Sequence, residues 1–360
     1  MDKRSFLKTA SISSTILGSG LASIQAYAGK KIKWKMITTW PKNFPALGTG
    51  ANTLAKLIQQ MSAGRIQIKV YGAGELVPAF EVFDTVANGS ADIGHGPSLY
   101  WKGKIPSAPF FTGIPYGLTG QEMNAWLYQG GGIELWRELY KPFAVIPSPA
   151  GNSGVQMAGW FNKKINSLDD LKGLKMRIPG IGGEVFQRAG GTPVTIPGGE
   201  IFTALKSGAI DATEWISPYN DLAFGFHKAA KYYYYPGWQE PGSTLECIIN
   251  EQSLKALPKD LQSIVLHACE VANQDMLAEF AANNSIALQT LKQKHGVQVK
   301  RIPDPVLKAL KTISAQVVEE MIDKNPKARK IYESIQQFQT HVMPWHEISE
   351  TAFYNARASS

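Results

Sequence analysis

Apolar and polar residues alternate near the start of the chain, as in half-buried strands. Between residues 31 and 36, three apolar side chains alternate with three lysines, and this period of two predicts a strand packed on a core by one face. A helical pattern over residues 51–62 predicts a helix that stops at Gly64, and residues 66–71 alternate again. The order of strand, helix and strand predicts an α/β layer with a largely parallel sheet.

Residues 258–295 predict one long helix. No glycine or proline follows Pro258 until Gly296, and apolar residues recur at helical spacing. At 1.5 Å per residue such a helix is about 50 Å long, enough to brace two lobes. A short strand over residues 297–300 and a helix opened by Asp304 as N-cap are expected after it.

An internal repeat predicts two lobes of similar build. Residues 81–92 align without gaps with residues 200–211, which lie 119 positions later. Each copy predicts a helix that ends at a glycine, Gly89 or Gly208, and a strand that begins just past an aspartate. Chance resemblance between two such units is the alternative, because helix, glycine and strand often follow one another in α/β folds.

Two segments rich in turn formers, residues 147–153 and 239–243, predict crossings between the lobes, and two crossings form a hinge. The predicted divisions are lobe I over residues 29–152 plus about 242–282, lobe II over 153–241 plus about 283–325, and a C-terminal helical arm over 326–360.

The first 28 residues predict an export signal. Lys3 and Arg4 precede a weakly apolar run, and an A-x-A site ends at Ala28. The start resembles a twin-arginine signal with lysine in place of the first arginine, so that both the Tat and the general secretory route stay open. A first helix or membrane anchor is the alternative, but the run is short and polar for ~30 Å of hydrocarbon. We expect a mature chain that begins near Gly29 and is soluble in the periplasm.

Composition and charge fit a globular protein with two cores. The chain has 360 residues, 44% hydrophobic and 18% charged, and its formal charge of +8 falls to +6 without residues 1–28. The basic residues are scattered, which argues against a nucleic-acid-binding class. Cys247 and Cys269 lie in apolar segments and are expected in a core, although export also permits a disulfide between them.

Sequence patterns of common enzyme classes are absent. The six histidines form no H-E-x-x-H pair, and neither a G-x-S-x-G elbow nor a Walker loop occurs. Residues 180–183 (G-I-G-G) resemble a dinucleotide loop, but Val185 stands where the third glycine belongs. A tight turn or a close approach of the backbone to a ligand explains these glycines better. We therefore predict no catalytic residues.

Residues 167–179 carry the most specific signals. Ser167 and Asp170 form a capping-box pattern, and Arg177 alternates with apolar residues at the end of the next predicted strand. An arginine at the end of a strand in an α/β sheet faces the crevice where ligands bind. Its planar fork can hold a carboxylate by two parallel charge-assisted hydrogen bonds. A solvent-facing or salt-bridged arginine is the alternative from the pattern alone.

The run S-L-D-D-L-K-G-L-K-M-R-I-P, the repeated G-x-x-D and the pair Glu214-Trp215 resemble the solute-binding subunit of tripartite ATP-independent periplasmic (TRAP) transporters. The resemblance is greatest to the branch that binds 2-oxo and 2-hydroxy monocarboxylates, and it extends over the chain from residue 29. It implies an α/β, periplasmic binding protein-like fold of two lobes around a cleft, joined by crossing strands and a long bracing helix. It also implies a periplasmic receptor that binds a pyruvate- or lactate-like acid and delivers it to TRAP membrane permease subunits.

The same resemblance implies roles for single residues. Arg177 would pair with the ligand carboxylate, and Tyr100, Asn152, Gln156 and Trp215 would lie beside the ligand. The oxo-acid branch also holds a metal ion there. The matching donors are the side chains of Gln156, Glu214 and Glu240 and the carbonyl of Trp215. Because all of them are oxygens, they suit Na⁺ or Ca²⁺ better than zinc.

Several alternatives stay open. Glu214 and Glu240 could neutralise Arg177 in a cleft without metal. A dicarboxylate or sugar-acid receptor of the same family could use Glu240 to contact a hydroxyl, and an exported enzyme could use the two carboxylates as acid and base. The C-terminal arm contains the aromatic residues Phe338, Trp345 and Phe353. They could pack either on the chain's own surface or on a homodimer partner.

Overall fold

The computed structural model describes residues 31–358, so the predicted export signal lies outside the described residues. The strands of this range are β1 Ile32–Thr38, β2 Ile66–Tyr71, β3 Ile93–Gly96, β4 Val145–Asn152, β5 Gly159–Phe161, β6 Lys175–Arg177, β7 Thr192–Val194, β8 Ala212–Thr213, β9 Tyr232–Tyr235, β10 Thr244–Asn250 and β11 Gln298–Arg301.

The α-helices of the same range are α1 Leu47–Met61, α2 Val82–Ala87, α3 Gly120–Gln129, α4 Gly132–Tyr140, α5 Gly180–Arg188, α6 Gly198–Ser207, α7 Pro218–Phe224, α8 Glu251–Lys255, α9 Lys259–Gln293, α10 Asp304–Asp323, α11 Pro326–His346 and α12 Ala352–Ala358. None of these helices combines the length and the apolar character that a membrane crossing needs.

Two sheets form the centres of two α/β lobes, which confirms the predicted fold class. Lobe I contains the order β2-β1-β3-β10-β4, and lobe II contains β11-β9-β5-β8-β6-β7. The early strands β1, β2 and β3 pair in parallel as predicted. Both sheets are nevertheless mixed, because β10 runs antiparallel to its neighbours in lobe I and β5 does so in lobe II.

The chain passes between the sheets twice. A first connection, residues 153–158, joins β4 to β5, and a second connection, residues 236–243, joins β9 to β10. Most of segment 147–153, which was expected to be a crossing, is instead strand β4. Its prolines, Pro147 and Pro149, are compatible with pairing because β4 is an edge strand with a neighbour on one side only. The residue numbers of the lobe boundaries stay predictions.

The internal repeat corresponds to two equivalent units. Gly89 and Gly208 both adopt a left-handed backbone with φ of +79°, and β3 and β8 begin just past the repeated aspartates. The carboxylate of Asp92 accepts a hydrogen bond from the backbone N–H of Lys35 at 2.8 Å, and that of Asp211 accepts one from Lys175 at 2.9 Å. Each aspartate thus fastens its unit to the neighbouring parallel strand in the same way.

Helix α9 spans 35 residues, or about 50 Å, and packs on both lobes as predicted. Its first half, including Val265, contributes to the apolar core of lobe I. Its second half contributes Phe280 and Leu291 to the core that surrounds Ile201 in lobe II. Helix α10 begins at Asp304 with Pro303 as the capping residue, one position before the expected cap.

The two cysteines lie in the core of lobe I, as expected. Cys247 on β10 and Cys269 on α9 are both buried and both free thiols in this structure. Burial raises the pKa of Cys247 well above its ordinary value, so the thiol stays protonated and behaves as a small apolar group.

The C-terminal arm docks by α11 on lobe I and leaves its end exposed. Trp126 donates from Nε1 to Ser334 Oγ at 3.1 Å, and Phe338 packs against an apolar cluster that takes residues from both lobes. Past that point Trp345 and Phe353 are each 61% exposed. Of these three aromatic residues, Phe338 fits the expectation of packing on the chain's own surface, whereas Trp345 and Phe353 do not.

Candidate functional site

A small cavity of about 30 Å³ lies between the two sheets and takes its lining from both lobes and both connections. The lining residues are Trp40, Pro97, Leu99, Tyr100 and Leu245 of lobe I, Arg177, Pro179, Glu214, Trp215 and Ile216 of lobe II, and Gln156, Glu240 and Ser243 of the connections. Pro97, Arg177 and Glu214 stand at or just past the carboxyl ends of β3, β6 and β8, which is where α/β sheets bind ligands.

Arg177 is the buried cation of this cavity. Its guanidinium, 2% exposed, forms an ion pair with Glu214 and donates to Tyr100 Oη at 3.0 Å. Its Nε donates to the carbonyl of Ile196 at 3.3 Å, and its carbon lies 5.0 Å from the centre of the Trp215 ring. Burial opposes the charged form, but Tyr100 and the neighbouring carboxylates raise the pKa of Arg177. The arginine is therefore salt-bridged and faces the cavity, not solvent.

Two carboxyl groups share the cavity with this single arginine. Burial raises the pKa of Glu214 to about 8, with Arg177 working against the shift and Glu240 adding to it. Burial also raises the pKa of Glu240, whose Oε2 accepts hydrogen bonds from Ser243 Oγ and, at 3.5 Å, from Gln156 Nε2. Glu214 thus pairs with Arg177, whereas Glu240, which the same alternative also assigned to Arg177, is bonded to neutral groups. The cavity therefore holds two carboxyl groups beside one guanidinium.

Gln156 points to the place where a cation fits. Its side-chain nitrogen donates to Ser243 Oγ at 2.8 Å and to Ser153 Oγ at 3.2 Å, whereas its buried Oε1 has no hydrogen-bond partner. A buried acceptor without a partner is costly, and a hard cation satisfies it. The nearby acceptors are oxygens, and no cluster of three His, Cys, Asp or Glu side chains occurs within residues 31–358. This chemistry fits Na⁺ or Ca²⁺.

The structure brings together Tyr100, Gln156, Arg177, Trp215 and both glutamates around the cavity, but not Asn152. The Asn152 amide donates to the carbonyl of Gly120 at 3.1 Å, and its Oδ1 accepts from the N–H of Gly154 at 2.9 Å. Asn152 therefore fixes the start of the first connection.

Sequence reasoning missed Ser243, which bonds both Gln156 and Glu240. It lies in the turn-rich segment 239–243, and no pattern separates it from other turn serines. The glycines of the weak dinucleotide pattern form the first turn of α5, where a Cβ on Gly183 would lie 2.5 Å from the carbonyl of Ile178. They serve tight packing, as the tight-turn interpretation held.

Comparison with known proteins identifies the family. The model described as bacterial extracellular solute-binding protein, family 7, matches residues 36–325. A monocarboxylate 2-oxoacid-binding periplasmic protein of Nostoc sp. is 42% identical, with 100% of both chains covered.

Solved structures of TRAP periplasmic solute-binding proteins are also similar. The protein of Colwellia psychrerythraea, with bound calcium and pyruvate, is 40% identical with a TM-score of 0.89 over 91% of this chain and 100% of that one. The protein of Pseudoalteromonas atlantica, with bound sodium and pyruvate, is 41% identical with a TM-score of 0.88 over 91% and 99%. A mixed-occupancy dimer from Bordetella bronchiseptica, with calcium and picolinate, is 38% identical with a TM-score of 0.90 over 92% and 98%. This chain belongs to family 7 of the bacterial extracellular solute-binding proteins, the solute-binding proteins of TRAP transporters.

Proposed function

We propose that this chain is the periplasmic receptor of a TRAP transporter and binds a small 2-oxo or 2-hydroxy monocarboxylate, such as pyruvate or lactate, together with Na⁺ or Ca²⁺. The observation that carries the proposal is the buried Arg177 guanidinium at a cavity whose other charged groups, Glu214 and Glu240, are oxygen acceptors. The relatives that hold pyruvate with calcium or sodium support it.

The contacts of Arg177 imply that acid and cation bind together. Nη1 of Arg177 is engaged by Glu214 in this structure, so a two-pronged grip on a ligand carboxylate requires Glu214 to find another positive partner. A cation held by Gln156, Glu214, Glu240 and the Trp215 carbonyl supplies that charge. Arg177 is then free to orient the ligand carboxylate through parallel charge-assisted hydrogen bonds.

Contacts across the cavity favour a closed receptor. Tyr100 of lobe I accepts a hydrogen bond from Arg177 of lobe II at 3.0 Å. At the rim, Lys102 of lobe I pairs with Glu184 and donates to the carbonyl of Gly180 at 3.3 Å, both on α5. A ligand that touches both lobes stabilises this closed arrangement over the open one, and hinge closure follows. The closed form is the one we propose for delivery to the permease subunits.

Calorimetric titration of pyruvate tests the proposal. We expect binding in calcium or sodium buffer and its loss after chelation in sodium-free buffer. Undiminished binding without either ion would overturn the cation part. Stronger binding of succinate or glucuronate than of pyruvate and lactate would favour the dicarboxylate or sugar-acid alternative. We expect no turnover, so any conversion of bound acid seen by NMR would favour the exported enzyme.

We also propose that the exposed end of the C-terminal arm packs on a second copy of the chain. Trp345, Ile348 and Phe353 are each more than 60% exposed, a concentration of apolar surface that suits an interface. The dimeric relative from Bordetella supports this choice of partner. Light scattering should show a dimer that Trp345→Glu with Phe353→Glu converts to a monomer. The matched control Ile286→Glu, at an exposed position on α9, should stay dimeric. A monomeric wild-type protein would refute the proposal.

A further inference from the structure

Asp221 is a buried carboxylate that lies outside the cavity lining. It belongs to α7 and is 1% exposed. Its Oδ2 accepts hydrogen bonds from Trp160 Nε1 at 2.9 Å and from Tyr233 Oη at 2.6 Å. Trp160 and Tyr233 face each other on β5 and β9, with ring centres 4.1 Å apart. The sheet of lobe II therefore holds this carboxylate through two side chains.

The other side of Asp221 holds a loop of the site. Oδ1 accepts from the N–H of Ile216 at 3.5 Å, and the N–H of Asp221 donates to the carbonyl of Ser217 at 3.0 Å. The carbonyl of Ile216 in turn accepts from the N–H of Met157 in the first connection at 2.9 Å. Residues 214–217 are thus fixed between α7 and the hinge.

This loop carries two of the proposed cation donors. Glu214 and Trp215 belong to it, and the Trp215 ring also lies beneath Arg177 and packs edge-on against Trp40 at 6.3 Å. The Trp215 carbonyl and the Ile216 N–H belong to one planar peptide group, so whatever holds this N–H also fixes the direction of the carbonyl.

We propose that Asp221 is a positioning residue for the cation site. It links the sheet to the peptide that follows Trp215 and so holds the loop in the conformation that receives the ion. This inference rests on the proposed function, because it presupposes a cation at these donors.

Lobe I contains a matched control. Glu246 on β10 is also fully buried and also bonded to one tryptophan and one tyrosine, namely Trp101 Nε1 and, at 3.3 Å, Tyr140 Oη. Its carboxyl group does not line the cavity. Glu246→Gln removes the same kind of buried carboxylate as Asp221→Asn but leaves the loop 214–217 untouched.

Calcium titration at saturating pyruvate compares the two variants with the wild-type protein, and thermal unfolding without ligand records their stability separately. We expect Asp221→Asn to raise the Kd for calcium about tenfold or more, the ratio that corresponds to one lost charge-assisted hydrogen bond. The Kd of Glu246→Gln for calcium should stay within about threefold of the wild-type value even if this variant unfolds at a lower temperature, because a loss of stability alone does not change the donors of the ion.

The outcomes separate the inference from the function on which it rests. A wild-type protein whose pyruvate binding depends on neither calcium nor sodium overturns both. Calcium dependence in the wild type together with equal affinity in Asp221→Asn, or an equal loss in Glu246→Gln, overturns the inference alone. If Asp221→Asn does not fold, Tyr233→Phe and Tyr140→Phe replace the pair, since each deletes one donor hydroxyl to the respective carboxylate. Only Tyr233→Phe should then weaken calcium binding, and equal affinities overturn the inference.

Discussion

Arg177→Lys is the sharpest test of the ligand contact, because it keeps the positive charge and removes the planar fork. The guanidinium holds Glu214 and Tyr100 and also donates from Nε to the carbonyl of Ile196. An ammonium group at this position can pair with Glu214, so the buried carboxylate keeps a partner and the variant should fold. It cannot hold a carboxylate by two parallel bonds as well.

The expected loss follows from the hydrogen bonds that the fork makes. One charge-assisted hydrogen bond contributes roughly 1.5–3 kcal/mol, which corresponds to a pyruvate Kd raised by about 10- to 150-fold. Calorimetric titration at fixed calcium measures this ratio. Arg188→Lys is the control, because Arg188 on α5 forms a two-pronged pair with Glu320 at the surface, away from the cavity. Arg177→Lys within threefold of wild type, or an equal loss in both variants, would refute the assignment.

Three further predictions concern charge. Glu240→Gln keeps an oxygen donor but removes one negative charge, so calcium affinity should fall by a larger factor than sodium affinity in separate titrations, and equal losses would contradict this. Burial raises the pKa of Glu246 to about 8 from 4.5. Because the folded state then binds the extra proton, stability should fall as pH rises from about 4.5 to 8, by at most ~1.4 kcal/mol per unit. Urea unfolding should show a weaker pH dependence of the free energy of unfolding for Glu246→Gln than for the wild type. An unchanged pH dependence would show that Glu246 is not its source. Lys102→Met removes the pair with Glu184 across the rim, so pyruvate affinity should fall by up to about fivefold without a change in the unfolding temperature, and unchanged affinity would exclude a role in closure.

The local sequence pattern predicted much of the fold, because the choice between strand and helix depends largely on residues that are close in sequence. Alternation over residues 31–36 and 66–71 gave β1 and β2, whose inward side chains pack on the lobe I core. The repeat was more informative than its length suggested. Asp92 and Asp211 bond the backbone of the neighbouring strand in the same manner, which is hard to reconcile with chance resemblance between two helix–glycine–strand units.

Features that depend on distant partners could not be predicted from the local sequence pattern. Ser243 bonds Gln156 across 87 positions, and Tyr100 bonds Arg177 across 77. Segment 147–153 was predicted to be a crossing between lobes because prolines are frequent in turns. Its prolines are compatible with a strand because β4 lies at the edge of the sheet. Asn152 ends that strand, and its side chain meets the backbone of Gly120 on a helix that the pattern did not place.

The charges of the cavity explain why the acid and the cation should be coupled. Arg177 already has Glu214 as a partner, and Glu240 adds a second buried carboxyl group. Burial raises the pKa values of both glutamates, and two like charges 4 Å apart repel by about 4 kcal/mol at an effective dielectric constant of 20. The two glutamates and an incoming acid can therefore all be ionised together only when positive charge enters with the acid. When the two glutamates, the arginine and the acid are all ionised, their charges sum to two negative charges in excess. Ca²⁺ neutralises both of them, whereas Na⁺ neutralises one. By thermodynamic linkage, the factor by which either ion strengthens the binding of the acid is also the factor by which the acid strengthens the binding of the ion.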